Sequence, residues 1–113
     1  MATEQQPIEP DVLVISCRRE GSRGVVEIGG ELDLHGSDRL TAEVQRMLRE
    51  PIEQIELDAR ELTFADSAGL RAVLMARAEA QTIGATFIVT AVSPPVERVI
   101  EMAGLTDVLL PRS

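Results

Sequence analysis

The sequence predicts an α/β fold: a single domain with a mixed four- to five-stranded sheet and helices, in the order β-β-α-β-α-β-α-(β). The first observation is the length of 113 residues, which suits one domain because two would each be too small to hold a good core. The second is that apolar segments of strand length alternate with amphipathic segments of helix length, which is typical of parallel strands joined by right-handed crossovers. The third is that no helix separates the first two strands, so they form a hairpin and make the sheet mixed.

The hairpin is predicted near the N-terminus. Residues 1–10 are polar and are expected to form a flexible lead. Residues 11–17 are mostly apolar and β-branched, which predicts the first strand. A turn rich in Gly and Ser leads into the second strand, residues 25–32, where Gly29 and Gly30 indicate a bulge or a close approach of two backbones.

The first helix follows the hairpin. Gly36 or Ser37 is predicted to cap it, with Asp38 in its first turn, where a negative charge suits the helix dipole. Apolar side chains then recur with helical spacing until Pro51 ends the helix. The next apolar segment, residues 52–57, is predicted as the third strand.

A second βα unit occupies the middle of the chain. Residues 58–66 are interpreted as a connecting segment, and a helix is predicted from Ser67 to Thr82, closed by Gly84. The following strand, residues 86–92, is apolar enough to be buried on both faces.

The last helix has a clear start and end. Ser93 is its predicted cap, with prolines in the first turn, and Gly104 stops it. Residues 108–110 are the candidate final strand.

Composition excludes several classes of function. The net charge is −8, so neither nucleic acid nor an anionic membrane is expected as a partner. Phe64 and Phe87 are the only aromatic residues, which argues against base stacking and an aromatic-lined pocket. One cysteine, Cys17, and one histidine, His35, leave no internal disulfide and no Cys or His metal cluster. No apolar run approaches the ~20 residues of a membrane span, and we expect a cytoplasmic protein without a cofactor.

The most informative motif spans residues 63–70, T-F-A-D-S-A-G-L. It places Ser67 where a loop becomes a helix, and free N–H groups at a helix N-terminus favour an anion. A phosphate on Ser67 would add a charge of roughly −2 beside Asp66 and alter any surface that contains it. The alternative from local sequence is that Ser67 only caps a helix and Gly69 only packs.

Enzymatic alternatives are also open. The spacing Ala65-x-Ser67-x-Gly69 is one residue from the G-x-S-x-G nucleophile elbow. A serine hydrolase is nevertheless not expected, because Ala65 replaces the first glycine, His35 precedes the serine and the chain is too short for the larger sheet of such an enzyme. Asp33 lies at a strand end and could form a dyad or a two-carboxylate metal site with Asp66. A small enzyme or ligand-binding domain would use these two carboxylates and His35. Otherwise Asp33 shapes a turn and His35 is merely solvated.

The two motifs together resemble the STAS domain family, the anti-sigma factor antagonists. The resemblance covers residues 12–110 and is strongest in the combination of a G-E-L-D element with a D-S-x-G-L element. The matching segments are Gly30–Asp33, Leu62–Leu70, Ala91–Pro94 and Met102–Leu105. A STAS domain is therefore expected over residues 11–113.

The resemblance implies a non-enzymatic switch. In this family an unphosphorylated antagonist binds an anti-sigma factor that is also a serine kinase, which releases the sigma factor. The kinase then phosphorylates the serine after the aspartate, here Ser67, and a metal-dependent serine phosphatase restores it, so ATP is the kinase's substrate and not a cofactor of this chain. Asp33, Asp66, Gly69 and Leu70 are the implied partner-binding residues.

One position departs from the family pattern, and one other role stays open. Many relatives carry a second hydroxyl where this chain has Ala68, so Ser67 is the one acceptor in the motif. The alternative function is a STAS interaction or scaffold module in another signalling complex, without direct sigma control.

Overall fold

The computed structural model describes residues 12–110, which form a four-stranded sheet with helices packed on one face. The predicted lead, residues 1–10, lies outside the described residues. The elements are β1 (Leu13–Glu20), β2 (Arg23–Leu32), α1 (Leu34–Met47), β3 (Gln54–Ala65), α2 (Ser67–Thr82), β4 (Thr86–Val92), α3 (Pro94–Met102) and α4 (Thr106–Leu109).

The strand order in the sheet is β1-β2-β3-β4. Strands β1 and β2 pair antiparallel, while β2 with β3 and β3 with β4 pair parallel, which confirms the mixed sheet and its opening hairpin. In the β2–β3 ladder Leu32 pairs with Ala65, the last residue of each strand. Helices α1 and α2 therefore begin side by side at one border of the sheet, called here the carboxyl edge.

Strand β3 is longer than predicted, because the segment 58–66 continues the strand up to Ala65 instead of forming a connection. Two bulges in its pairing with β2 explain the difference. Each inserts an extra residue, so the buried side chains Ala59, Leu62 and Ala65 recur every third residue instead of every second. A strand with this spacing is not recognised from the alternation of apolar and polar residues. The predicted bulge at Gly29 and Gly30 is confirmed at the same place.

Helix α1 begins at Leu34, with Asp33 as its N-cap, so the predicted cap at Gly36 or Ser37 is wrong. The carboxylate of Asp33 accepts the N–H of Gly36 at 3.0 Å, which satisfies a donor that has no partner within the helix. Ser37 consequently lies inside the helix, where it is buried. The predicted bounds of α2, Ser67–Thr82, are confirmed.

The C-terminal part departs from prediction in two places. Strand β4 is an edge strand, and Val89 is its one fully buried residue, so burial on both faces is wrong. The candidate strand at residues 108–110 is instead part of a single helical turn, α4, in which the Leu109 N–H bonds the carbonyl of Leu105 at 2.9 Å. That turn places the Leu109 side chain in the core.

The core between the sheet and the helices is aliphatic, as the composition requires. Helices α1 and α2 pack on each other as well as on the sheet, which holds their N-termini together at the carboxyl edge. Within residues 12–110 no helix has both the length and the apolar composition needed to cross a membrane. The largest fully buried side chains are Val26, Leu32, Leu40, Val44, Ile55 and Leu57.

Candidate functional site

Two aspartates start the two helices at the carboxyl edge. Asp33 follows the last residue of β2 and caps α1, and Asp66 follows the last residue of β3 and caps α2. The carboxylate of Asp66 accepts the N–H of Gly69 at 2.8 Å. Its own N–H bonds the carbonyl of Leu32 at 3.2 Å, which ties the two turns together. Each carboxylate is thus engaged in holding a helix start in place.

Ser67 is the first residue of α2 and is exposed to solvent. Asp66 is the N-cap, so the local alternative in which Ser67 caps the helix is wrong. The Ser67 hydroxyl is therefore left at the surface, beside the N-terminal end of a 16-residue helix. The backbone dipoles at that end favour negative charge, so a phosphate ester on this serine is tolerated by its own helix.

Gly69 and Leu70 are buried beneath Ser67. A Cβ atom built on Gly69 would lie 2.3 Å from the carbonyl oxygen of Leu32, closer than any side chain can approach. Glycine at this position lets α2 start directly against the end of β2. Leu70 belongs to the core. Both residues fix the position of Ser67 by packing the first turn of α2 against the rest of the fold.

Ser37 links the two helix starts. Its side chain is 8 % exposed, and its Oγ lies 2.7 Å from the carbonyl oxygen of Asp33 and 3.2 Å from that of Ala68. A hydroxyl has a single proton, so this donor is shared between α1 and α2. The bridge is a second link between the two N-termini, beside the bond from the Asp66 N–H to the Leu32 carbonyl.

Residues 15–111 match the family model described as "Mlab, STAS domain". This chain belongs to the STAS domain family. The anti-sigma F factor antagonist of Paenibacillus polymyxa is 36 % identical over 98 residues, covering 84 % of each chain.

Two solved structures share the STAS fold with this chain. An anti-sigma factor antagonist from Mycobacterium paratuberculosis superposes with a TM-score of 0.78 at 23 % identity, covering 92 % of this chain and 90 % of the other. The anti-sigma factor antagonist SpoIIAA in its unphosphorylated form gives a TM-score of 0.75 at 22 % identity, covering 88 % and 89 %. At these identities the likeness establishes the fold, a single STAS domain with the predicted order of strands and helices.

Two exposed apolar side chains lie at this edge of the STAS domain, and the sequence did not single them out as candidate site residues. Leu34, the first residue of α1, is 67 % exposed, and Phe64, next to the end of β3, is 44 % exposed. A signal for Leu34 exists in the sequence: the pattern Asp-x-x-Gly occurs at Asp33 and again at Asp66. Aligning the two copies places Leu34 in register with Ser67.

The geometry gives little support to an enzyme or a ligand site built on Asp33, His35 and Asp66. Both carboxylates act as helix caps, and His35 is exposed on the first turn of α1. A surface groove of about 690 Å³ lies on the sheet face opposite the helices, and none of these three residues lines it. Among residues 12–110, no three His, Cys, Asp or Glu side chains are arranged to hold a metal ion.

Proposed function

We propose that this STAS domain is an anti-sigma factor antagonist whose partner is an anti-sigma factor with serine kinase activity. Unphosphorylated, it binds that kinase in the cytoplasm and releases the sigma factor. Phosphorylation of Ser67 ends the binding, and a metal-dependent serine phosphatase restores it. The chain itself acts as a regulator and not as an enzyme.

The observation that carries the proposal is the position of Ser67. It is exposed at the first residue of a helix whose N-cap, Asp66, already accepts the N–H of Gly69. A kinase can therefore reach the hydroxyl without unfolding the helix. The 36 % identity to an anti-sigma F factor antagonist supports the same role.

Electrostatics explains how a phosphate would act as a gate. The chain has a net charge of −8, and Asp33 and Asp66 already lie at the edge that carries Ser67. A phosphoserine adds a charge of roughly −2 and three acceptor oxygens. Burying this group against a partner carries a desolvation penalty of several kcal/mol unless the partner pairs it. The helix tolerates the phosphate while the interface does not.

The four implied partner-binding residues take different parts in this proposal. Asp33 and Asp66 are partly exposed, and they present charge to the kinase while they cap their helices. Gly69 and Leu70 are buried, so they contribute by fixing the position of Ser67 at the surface and not by direct contact with the kinase.

The decisive experiment compares three forms with the anti-sigma factor kinase encoded in the same genome. Incubation of the parent with the kinase and ATP should add one phosphate, located on Ser67 by mass spectrometry. Ser67→Ala should bind the kinase as the parent does and resist release by ATP. Ser67→Asp should raise the dissociation constant at least tenfold, about 1.4 kcal/mol. Ser16→Ala, an exposed serine on β1, is the matched control and should behave as the parent.

Two results would remove the proposal. One is modification elsewhere, with Ser67 untouched by the kinase. The other is equal binding and release by the Ala and Asp variants, because Ser67 would then not be the gate. Binding to a different signalling complex, unaffected by either variant, would instead support the interaction-module alternative.

A further inference from the structure

Leu34 holds the position in α1 that Ser67 holds in α2. Each is the first helical residue after an aspartate N-cap, and each follows a strand that ends at the carboxyl edge. A single exposed leucine on a protein surface needs no explanation. This one is 67 % exposed and lies in the turn adjacent to the candidate phosphoacceptor.

The two residues are close enough to share one interface. Their helices pack on each other, and packed helix axes are typically about 8–10 Å apart. The strands that precede them pair at Leu32 and Ala65, and paired strands are about 4.8 Å apart. A standard interface covers about 800 Å² on each partner, which is ample to include both residues. A single interface is therefore large enough to cover Ser67 and Leu34 together.

The charge around Leu34 restricts what can cover it. The last residues of β2, the two caps and the first two turns of α1 and α2 contain four carboxylates and only two arginines. A symmetric contact between two copies would bring these acidic edges together, which like-charge repulsion disfavours. The occupant that fits is a different protein with a basic rim. The six groups are Glu31, Asp33, Asp38 and Asp66 against Arg39 and Arg71.

We propose that Leu34 is the apolar anchor of the kinase-binding surface. It would insert into an apolar pocket of the anti-sigma factor, and Lys or Arg side chains of that protein would surround the pocket. This rests on the proposed function and names a specificity-determining contact within it. Phe64, which is half-exposed on the strand leading to Ser67, extends the apolar area. Burial of such a side chain supplies affinity, whereas the phosphate on Ser67 controls it.

The test substitutes Leu34→Ser and measures binding to the purified kinase by calorimetry. The matched control is Ile83→Ser, which removes an equally apolar side chain that is 53 % exposed at the C-cap of α2. Ile83 is about 24 Å along the helix from Ser67. Leu34→Ser should raise the dissociation constant about tenfold or more, and Ile83→Ser should leave it within twofold.

Phosphorylation kinetics give a second readout that a change in folding would not reproduce. Leu34→Ser should raise the KM of the kinase for this protein and leave kcat unchanged, because the contact exists equally in the ground and transition states. Parent-like KM and dissociation constant, with Ser67→Asp still defective, would overturn the inference and leave the proposed function intact. Loss of a homodimer in sedimentation, with kinase binding unchanged, would also overturn it. Insensitivity of kinase binding to Ser67→Asp would instead count against the proposed function.

Discussion

Asp33 and Asp66 occupy equivalent positions in two neighbouring βα turns, and each carboxylate accepts the N–H of a glycine three residues later. The distances are 3.0 Å from Asp33 to Gly36 and 2.8 Å from Asp66 to Gly69. Both aspartates have the extended backbone conformation of an N-cap. The carboxyl edge therefore consists of two matched helix starts, one displaying a leucine and the other the candidate phosphoacceptor.

Removing either cap should destabilise the fold by a similar amount. Asp66→Ala and Asp33→Ala should each lower the free energy of unfolding by about 1 kcal/mol, because a backbone donor loses its acceptor. Asp66→Asn and Asp33→Asn keep an oxygen in place and should lose only a few tenths of a kcal/mol. Urea denaturation followed by circular dichroism measures all four. An alanine variant as stable as the parent would contradict the capping role.

The asparagine variants also separate charge from structure at the binding surface. They retain the cap and remove one negative charge, so a loss of kinase affinity without loss of stability would identify the aspartate as a partner contact. Calorimetry with the unmodified kinase measures this, with Glu50→Gln near the opposite end of α1 as the charge control. Equal affinity of all variants would restrict both aspartates to capping.

The second helix shows what local sequence can predict. Its bounds, Ser67–Thr82, follow from an apolar stripe and from Gly84, whose φ of +81° suits a residue without a side chain. The D-S-x-G-L element likewise predicts that a helix begins at Ser67, because that signal is contained in a few adjacent residues. Local signals of this kind do not depend on contacts with distant parts of the chain.

The errors arose where a distant partner decides the outcome. The length of β3 depends on bulges that exist only in its pairing with β2. The cap of α1 was misplaced because Ser37 has the right chemistry for a cap, yet its hydroxyl is shared with the carbonyl of Ala68 on another helix. The exposure of Leu34 also depends on how the two helices pack. None of these relationships is visible within a window of sequence.

Gly69→Ala should destabilise the fold more than the equivalent substitution in α1. Its Cβ would lie 2.3 Å from the Leu32 carbonyl oxygen and 2.8 Å from the Leu32 Cγ, so α2 must move away from β2. Overpacking of this kind costs about 1–3 kcal/mol. Gly36→Ala is the matched control in α1. Its Cβ would lie 3.0 Å from the Leu13 side chain and 3.6 Å from the Glu31 carbonyl oxygen, an ordinary contact, and should cost less.

Thermal unfolding of the two glycine variants ranks them directly. The expected order of midpoints is parent, Gly36→Ala, then Gly69→Ala, with the last also phosphorylated more slowly because Ser67 shifts with its helix. If Gly36→Ala proved the less stable of the two, the close approach of Gly69 to Leu32 would not be the stronger steric constraint.

Ser37→Ala should loosen the coupling between α1 and α2. The hydroxyl bonds Asp33 and Ala68, and its loss should lower the free energy of unfolding by about 1 kcal/mol. Hydrogen exchange should increase at the first turns of both helices, including the amide of Gly69. Ser16→Ala, on an exposed position of β1, should change stability by less than about 0.5 kcal/mol. Faster exchange in α1 alone would mean that the bridge to Ala68 contributes nothing.

Cys17 is predicted to be an unreactive thiol at neutral pH. The pKa of Cys17 is raised from 9.0 to about 11. Burial is the largest cause, and the Glu43 carboxylate, 3.6 Å from the sulfur, is the second, while Arg46 acts in the opposite direction. The folded state thus holds the thiol proton more tightly than the unfolded state. The stability that this provides is fully present below pH 9 and is lost as the pH rises through about 11.

The titration of Cys17 can be followed by absorbance without interference from tyrosine ionisation, because the sequence contains no tyrosine. Thiolate absorbance near 240 nm should rise with a midpoint near 11 in the folded protein and near 9 in urea. Glu43→Gln should lower the folded midpoint while leaving it above the value in urea, since burial is the larger cause. Cys17→Ser should abolish the signal and flatten the fall in stability above pH 9. A folded midpoint equal to that in urea would show that β1 leaves the thiol fully hydrated.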